Sequence, residues 1–472
     1  MEYFELAPGF KVSRILTGLK QKSNHNKPEL DHKSLQPYLE AGFTSFDVSD
    51  PFESPDIVSD IYSQSYNENG VQFLTKWIPR RGPVSREDVR TDIENSLKRL
   101  NCERIDLLQY HAWNYADPSW LDGIFYLQEL KEEGLIRNLG LMNFDTPHLR
   151  MVIKSGIRVT SNQVSYSLID QRAAGEMTRL CVNYGVKLLS FGTVAGGFLS
   201  EKWLNKPEPK ESVLGIWPLI KYKRFIDRAG GWNNFQILLR TIKEIADDYQ
   251  VSMANIAAKF ILEQPAVGGI IIGARLGESE HIKDNQRLFQ FNIEENHKHK
   301  IREALQILDP VPGDCGDEYR KSPFLGLDSA EPQELPRPYE IKKDDKGRTK
   351  VNTKTVWEDA GGFSRAVRKG NRIWVSGTIA THNNKTIGGY DPKAQTHFII
   401  DKIEGALNSL GATLDDVVRT RIFVQDIDDW DRVSKVHWQR FKDIRPANTI
   451  VQAELGGEGF LVEMEAEAEV YD

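Results

Sequence analysis

From its start to about residue 325 the chain repeats one rhythm. A short apolar run gives way to a stretch whose apolar positions have helical spacing, and another apolar run follows. The runs that read as strands are Arg14–Leu19, Thr44–Val48, Val71–Lys76, Asp106–His111, Ile136–Met142, Ser161–Tyr166, Val186–Phe191 and Gly269–Gly273. Strands alternating with helices build βαβ units, whose strands must run parallel. Arg90–Leu100 sets Ile93, Leu97 and Leu100 on one helical face, and Trp120–Glu133 and Phe235–Tyr249 read the same way. The pattern points to a parallel barrel. Between the seventh and eighth strands lies Glu201–Trp232, an insertion rich in Pro, Gly and Trp that reads as a lid or pocket wall.

Three consecutive strands end in polar residues: Asp47, Lys76 and His111. Strand ends of this kind gather at the C-terminal face of a parallel barrel, where such barrels hold their sites. Lysine is rarely buried without a partner, so Lys76 in its apolar strand is expected to pair with Asp47. His111 is suited to donate a hydrogen bond to a carbonyl oxygen or imine nitrogen, or to act as an acid near neutral pH. Tyr110, one residue earlier, alternates to the other side of the strand. Trp113 and Tyr166 are candidate pocket walls, and Asp50 is a further carboxylate nearby.

With these residues in place, the first part of the chain resembles the aldo-keto reductases, (β/α)8 TIM barrels that use NADPH and an Asp-Tyr-Lys-His tetrad. The resemblance puts Asp47, Lys76 and His111 at three of the four positions. The tyrosine position falls at Phe52, which has no hydroxyl to give to a forming alkoxide. The resemblance also implies a nicotinamide site: Asn143 and Gln163 hold the carboxamide, and Phe191 stacks on the ring. Gly273, Arg275, Glu280 and Asn285, after the last strand, lie where the family binds the adenosine 2′-phosphate and adenine. Arginine beside a helix start suits a phosphate. An iminium carries its own charge and needs no proton as hydride arrives, so loss of the phenol harms C=N reduction less than C=O reduction.

Ser322 to Lys350, SPFLGLDSAEPQELPRPYEIKKDDKGRTK, has four prolines and a charged run, and reads as a linker, taken as about 326–350. The remaining 351–472 mixes strands (Arg372–Val375, Arg419–Val424, Thr449–Glu454, Leu461–Tyr471) with helices at Gln395–Leu410 and Trp430–Phe441. The last two strands alternate as half-buried antiparallel strands do, and the unit is α+β. The stretches GGFSRAVRKGNRIWVSGTIA, DDVVRTRIFVQDIDDW, RPANTIVQAEL and LVEMEAEAEV resemble the YjgF/Rid family. That likeness implies a trimer with clefts between subunits, and hydrolysis of enamines and imines in active members. The catalytic arginine position is Asn448, a cleft tyrosine position is Phe363, and Glu463 matches a glutamate of the last strand. Asn448 lacks the fork that holds a carboxylate, which argues against hydrolytic deamination.

The 472 residues carry a net charge of −7, which argues against nucleic acid or an anionic membrane as partner. The three cysteines, Cys102, Cys181 and Cys315, are widely spaced, so a reducing, cytoplasmic compartment is expected. No signal-peptide pattern, HExxH, paired CxxC, Walker loop or G-x-S-x-G stands in the sequence. The expected activity is an NADP(H)-dependent reductase of a small carbonyl or imine. A non-redox cyclase, isomerase or lyase on the same scaffold, or a non-catalytic binding protein, are the alternatives.

Overall fold

A computed structural model describes residues 1–19, 35–48, 70–274, 281–320 and 337–471. Phe52, Asp50, Arg275 and Glu280 lie outside them. The chain opens with an antiparallel hairpin, β1 (Tyr3–Ala7) and β2 (Phe10–Ser13). Eight parallel strands then close a barrel in chain order: β3 (Ile15–Gly18), β4 (Ser45–Asp47), β5 (Gln72–Trp77), β6 (Ile105–His111), β7 (Ile136–Met142), β8 (Ser161–Ser165), β9 (Lys187–Phe191) and β10 (Val267–Gly273). All match runs expected from the sequence. The hairpin was not expected. Its Leu6, Ala7, Phe10 and Val12 pack on Leu16, Leu74, Leu107, Leu189 and Ile271 inside the barrel, so it stoppers the N-terminal end. Gly268 makes room for it, because a Cβ there would run into the Phe4 ring.

The helices are set by local chemistry. Arg86–Leu100 begins with a capping box in which the Ser85 hydroxyl accepts from the Asp88 amide at 3.1 Å and the Asp88 carboxylate accepts from the Ser85 amide at 3.2 Å. Thr146–Lys154 is capped by Asp145, whose carboxylate accepts from the His148 amide at 2.9 Å. The Glu201–Trp232 insertion is more ordered than a loop reading allows: Trp217–Arg228 is a helix with Pro218 in its first turn.

The C-terminal unit has a seven-stranded sheet in the order β11-β12-β13-β14-β19-β17-β18. Its strands are β11 (Glu340–Lys343), β12 (Thr349–Asn352), β13 (Ala366–Lys369), β14 (Arg372–Ile379), β17 (Val417–Val424), β18 (Ala447–Gln452) and β19 (Val462–Glu469); β15 (Thr381–His382) and β16 (Lys385–Thr386) form a separate small hairpin. Two expectations are corrected. The segment read as linker to residue 350 contributes β11 and the first half of β12, because short, charge-rich runs such as EIKK and TKVN serve a sheet-edge hairpin as well as an open chain. β18 pairs with β17 in parallel, not antiparallel, since the helix Trp430–Phe441 carries the chain back between them.

Two helices join the units. Pro392–Ser409 covers its own sheet with one side and lies on Thr146–Lys154 of the barrel with the other, so that every residue but Lys393 and Glu404 is buried. Backbones approach closely there: a Cβ at Gly405 would strike the carbonyl oxygen of Ala116, and one at Gly389 would come within 2.6 Å of that of Lys154. Asp401 accepts from His148 Nε2 at 2.9 Å and from Arg440 at 2.6 Å; Asp122 of the barrel meets His382 Nε2 at 2.8 Å.

Candidate active site

Asp47, Lys76 and His111 converge at the C-terminal mouth of the barrel because β4, β5 and β6 are adjacent and in register. Lys76 Nζ donates to Asp47 Oδ2 at 2.7 Å and to the carbonyl of Val48 at 2.9 Å. The expected pair is therefore present, with Lys76 7% and Asp47 9% exposed. The other carboxylate oxygen accepts from Gln163 Nε2 at 2.7 Å and Gln109 Nε2 at 3.3 Å. Four polar side chains thus close on one another beneath the mouth, and Gln163 spends an amide hydrogen on Asp47.

His111 is 3% exposed, and its Nδ1 stands 3.2 Å from the carbonyl oxygen of Met142. A carbonyl only accepts, so Nδ1 carries the hydrogen and Nε2 presents a lone pair. Burial, with the Arg320 guanidinium nearby, pushes the imidazolium down to about 3. His111 is consequently a neutral acceptor at working pH. This corrects the expectation of a donor or acid, which read the residue type without the carbonyl of the neighbouring strand. Trp113 meets the imidazole edge-on with centroids 4.7 Å apart, while Tyr110 turns away, stacking on Trp77 and donating to the carbonyl of Trp120 at 3.0 Å. Tyr166 is buried.

The last turns of the barrel sequence close over this mouth, and sequence patterning missed them. Arg172 bridges Asp170 at 2.8 Å and Glu318 at 2.9 Å. Glu318 lies 3.9 Å from the ammonium of Lys221, which donates to Tyr319 Oη at 2.7 Å. Burial works against the charge on Lys221, yet Tyr319, Tyr222 and Glu318 outweigh it and hold the group above its ordinary value. The Tyr319 ring meets His111 edge-on at 5.9 Å, and Lys221 Nζ sits 5.2 Å from the centroid of Phe191. Arg320 grips the carbonyl of Asn143 and the hydroxyl of Tyr115. The only local hint was an acidic run closing on an arginine, DCGDEYR, after the helix Glu295–Leu305.

Asn143 adopts a positive φ of 58° and is 1% exposed. Its Oδ1 is buried without a hydrogen-bond partner, as are the hydroxyls of Ser165, Ser190 and Thr193. An unsatisfied buried acceptor is costly, so this one fits the amide hydrogens of a nicotinamide carboxamide. The half-buried Phe191 ring, at the end of β9, supplies an adjacent flat surface. Gly273 ends β10 exposed, and Asn285 lies in the helix Ile282–Arg287 beyond it. These residues fit a nicotinamide cofactor.

In the C-terminal unit the three expected cleft residues do not meet within one chain. Asn448 Nδ2 donates to Thr420 Oγ1 at 2.8 Å, and Thr420 in turn contacts His437 of the covering helix at 2.9 Å. Asn448 thus faces the helices. Glu463 pairs in register with Phe423, on the alternate, open face of the sheet. Phe363 is 37% exposed and lies under the guanidinium of Arg365, 5.6 Å from its ring centroid. Arg365 is buried on Glu358 at 3.2 Å, and the sequence reading passed over both.

Sequence comparison agrees with this division. The Aldo/keto reductase family profile matches residues 15–306, and the Endoribonuclease L-PSP profile matches residues 353–470. Flagellar radial spoke protein 5 of Chlamydomonas reinhardtii is 31% identical over 180 residues, 34% of each chain. NADH-specific methylglyoxal reductase of Escherichia coli is 24% identical over 231 residues, 48% of this chain and 67% of that one. A RutC family protein of Pyrococcus abyssi is 33% identical over 118 residues, 25% of this chain and 92% of its own length. The chain thus spans a third of the first relative and two thirds of the second. Among the described residues no helix is long and apolar enough to cross a membrane. The barrel with its buried aspartate–lysine pair, and the profile that covers it, place the chain in the aldo/keto reductase family, with a YjgF/Rid-type domain fused behind it.

Proposed function

We propose that the barrel is an NADP(H)-dependent oxidoreductase acting on a carbonyl or imine carbon of a small metabolite. The observation that carries this reading is the orphaned Asn143 acceptor, buried beside the Asp47–Lys76–His111 mouth. When bound, the reduced nicotinamide would supply the hydride. Asn143 Oδ1 would take the carboxamide hydrogens and Phe191 would carry the ring. Asp47 and Lys76 keep a compensated charge pair at the barrel mouth. The bare Nε2 of His111 accepts a hydrogen bond, which matches a protonated imine or a hydroxyl better than a carbonyl oxygen. The 2′-phosphate preference rests on Arg275, which lies outside the described residues; the E. coli relative is named for NADH, so the preference needs its own measurement.

The test is calorimetric titration of NADPH and NADH into the full chain and into Arg275→Ala. NADPH is expected to bind more tightly, and the variant to lose most of that margin. A charged hydrogen bond is worth about 1.5–3 kcal/mol, roughly tenfold to a hundredfold in affinity. Equal affinities in the wild type overturn the NADP assignment. A binding or scaffolding role is the second reading, favoured by the likeness to a protein named as a radial spoke component. Binding of neither cofactor selects it.

A further inference from the structure

Reducing a carbonyl requires a proton for the oxygen as well as hydride for the carbon. Phe52 has none to give, and His111 Nε2 has none either. Among the described residues at the mouth, the Tyr319 ring meets His111, and its hydroxyl accepts from the Lys221 ammonium that sits over Phe191. We propose that Tyr319, held by Lys221, is the catalytic proton donor of this barrel, a phenol supplied from the far end of the barrel sequence. The assignment rests on the reductase reading above.

The geometry gives the pair the parts the step requires. Tyr319 is half-buried, with its ring against His111, so its hydroxyl lies at the mouth and not in the core. Its oxygen accepts from the ammonium of Lys221 at 2.7 Å, and no second hydrogen-bond partner holds that hydroxyl among the described residues. Because an ammonium only donates, the phenol's own hydrogen must point elsewhere. Lys221 is 6% exposed and enclosed by Phe191, Tyr222, Phe225 and Tyr319, so its charge is poorly screened. Glu318, fixed by Arg172, is 3.9 Å away and keeps the ammonium charged. A planar ring resting on Phe191 therefore comes beside this pair.

In the step, the carbonyl π pair moves to oxygen as hydride from the reduced nicotinamide bonds to carbon. The O–H bond of Tyr319 breaks, and its proton forms the new hydroxyl. The electron pair left on Oη faces Lys221, which stabilises the anion until solvent returns a proton. Nothing further is oxidised or reduced.

The experiment uses the full chain, Tyr319→Phe and Lys221→Met, with circular dichroism to check the fold. Benzoate presents an oxyanion where the alkoxide would form, so its calorimetric affinity reads the O–H and ammonium without turnover. Both variants are expected to bind benzoate at least tenfold more weakly, with NADPH affinity within about twofold of wild type. In turnover with NADPH, Tyr319→Phe is expected to lower kcat for benzaldehyde roughly 10²–10⁴-fold, the span of general acid catalysis. The loss with 1-methyl-1-pyrrolinium, a fixed iminium that needs no proton, should be at least tenfold smaller. Equal losses on the two probes, with NADPH still bound, overturn the assignment of Tyr319 and leave the reductase reading standing. Unchanged benzoate affinity overturns it also. No NADPH binding together with unchanged benzoate affinity overturns both readings.

Discussion

Raising the pH past 9 should loosen the joint between barrel and C-terminal domain. His148 is the joint's centre. Its Nδ1 donates to Asp145 at 2.5 Å, its Nε2 donates to Asp401 across the interface at 2.9 Å, and Tyr115 stacks on the ring with centroids 3.3 Å apart. Around it stand Arg440 on Asp401 and Glu404, Arg320 on Tyr115, Asp314, which burial and Asp145 raise to about 6, and His397, kept neutral by burial and Arg440. Burial alone would discharge His148, but the two carboxylates outweigh it and raise the group from 6.5 to about 9. A histidine raised in the folded state stabilises fully below its unfolded value and loses that contribution as pH climbs through the folded value. The window is therefore pH 6.5 to 9, and the shift corresponds to about 3 kcal/mol. His148→Gln keeps a polar amide but no charge. At pH 6 its calorimetric melting midpoint should lie on the order of 5 to 10 °C below wild type. By pH 10 the two curves should meet, and small-angle scattering should show the wild-type chain extending as they do. A gap that stays constant from pH 6 to 10 would refute the reasoning, since packing loss alone does not titrate.

Lys76→Met strips a buried carboxylate of its cation and should cost roughly 3–5 kcal/mol in melting experiments; adding Asp47→Asn should recover most of it, because the unpaired charge is what costs. Phe52→Tyr in the Tyr319→Phe background is expected to restore benzaldehyde reduction if Asp47 and Lys76 still stand where the family holds its tyrosine; kcat that stays at the single-variant level would place residue 52 away from the site. We also propose that the chain trimerises through its C-terminal sheet. The barrel covers the helix side and leaves Trp374, Val418 and Val451 exposed on that domain. Light scattering of the full chain should give three times 53.8 kDa, and a monomer at micromolar concentration refutes it.

What the sequence made legible was whatever periodicity encodes. The barrel strands are apolar runs set in an alternation with helical patterns, so all eight were found, and with them the Asp47–Lys76 pair that strand adjacency enforces. Periodicity is silent about partners that arrive from elsewhere. The tautomer of His111 is decided by the Met142 carbonyl one strand away, and Gln163 by the competing claim of Asp47 on its amide. The hairpin β11–β12 reads as linker because its lysine-rich strands and the charged turn between them look like open chain. Tyr319 and Lys221 lie on a short tail and within an insertion, where no pattern ties either to the mouth.

The helix Pro392–Ser409 shows the same limit from the other side. Its apolar positions Phe398, Ile399, Ile403, Ala406 and Leu407 share one helical face, and they are buried on the sheet. His397, Asp401 and Lys402 are residue types seldom buried without a partner. They are buried as well, because that face meets the barrel or its own domain's loops. Burial of charge is tolerable only with a partner. Asp401 finds two cations, one from each domain, whereas Lys402 donates to the carbonyl of Thr381 at 3.0 Å and is pushed down to about 7 by burial and by Arg365. A charged stripe facing another domain is indistinguishable in sequence from one facing water. The distinction lies in the barrel residue His148, whose own second carboxylate partner comes from this helix.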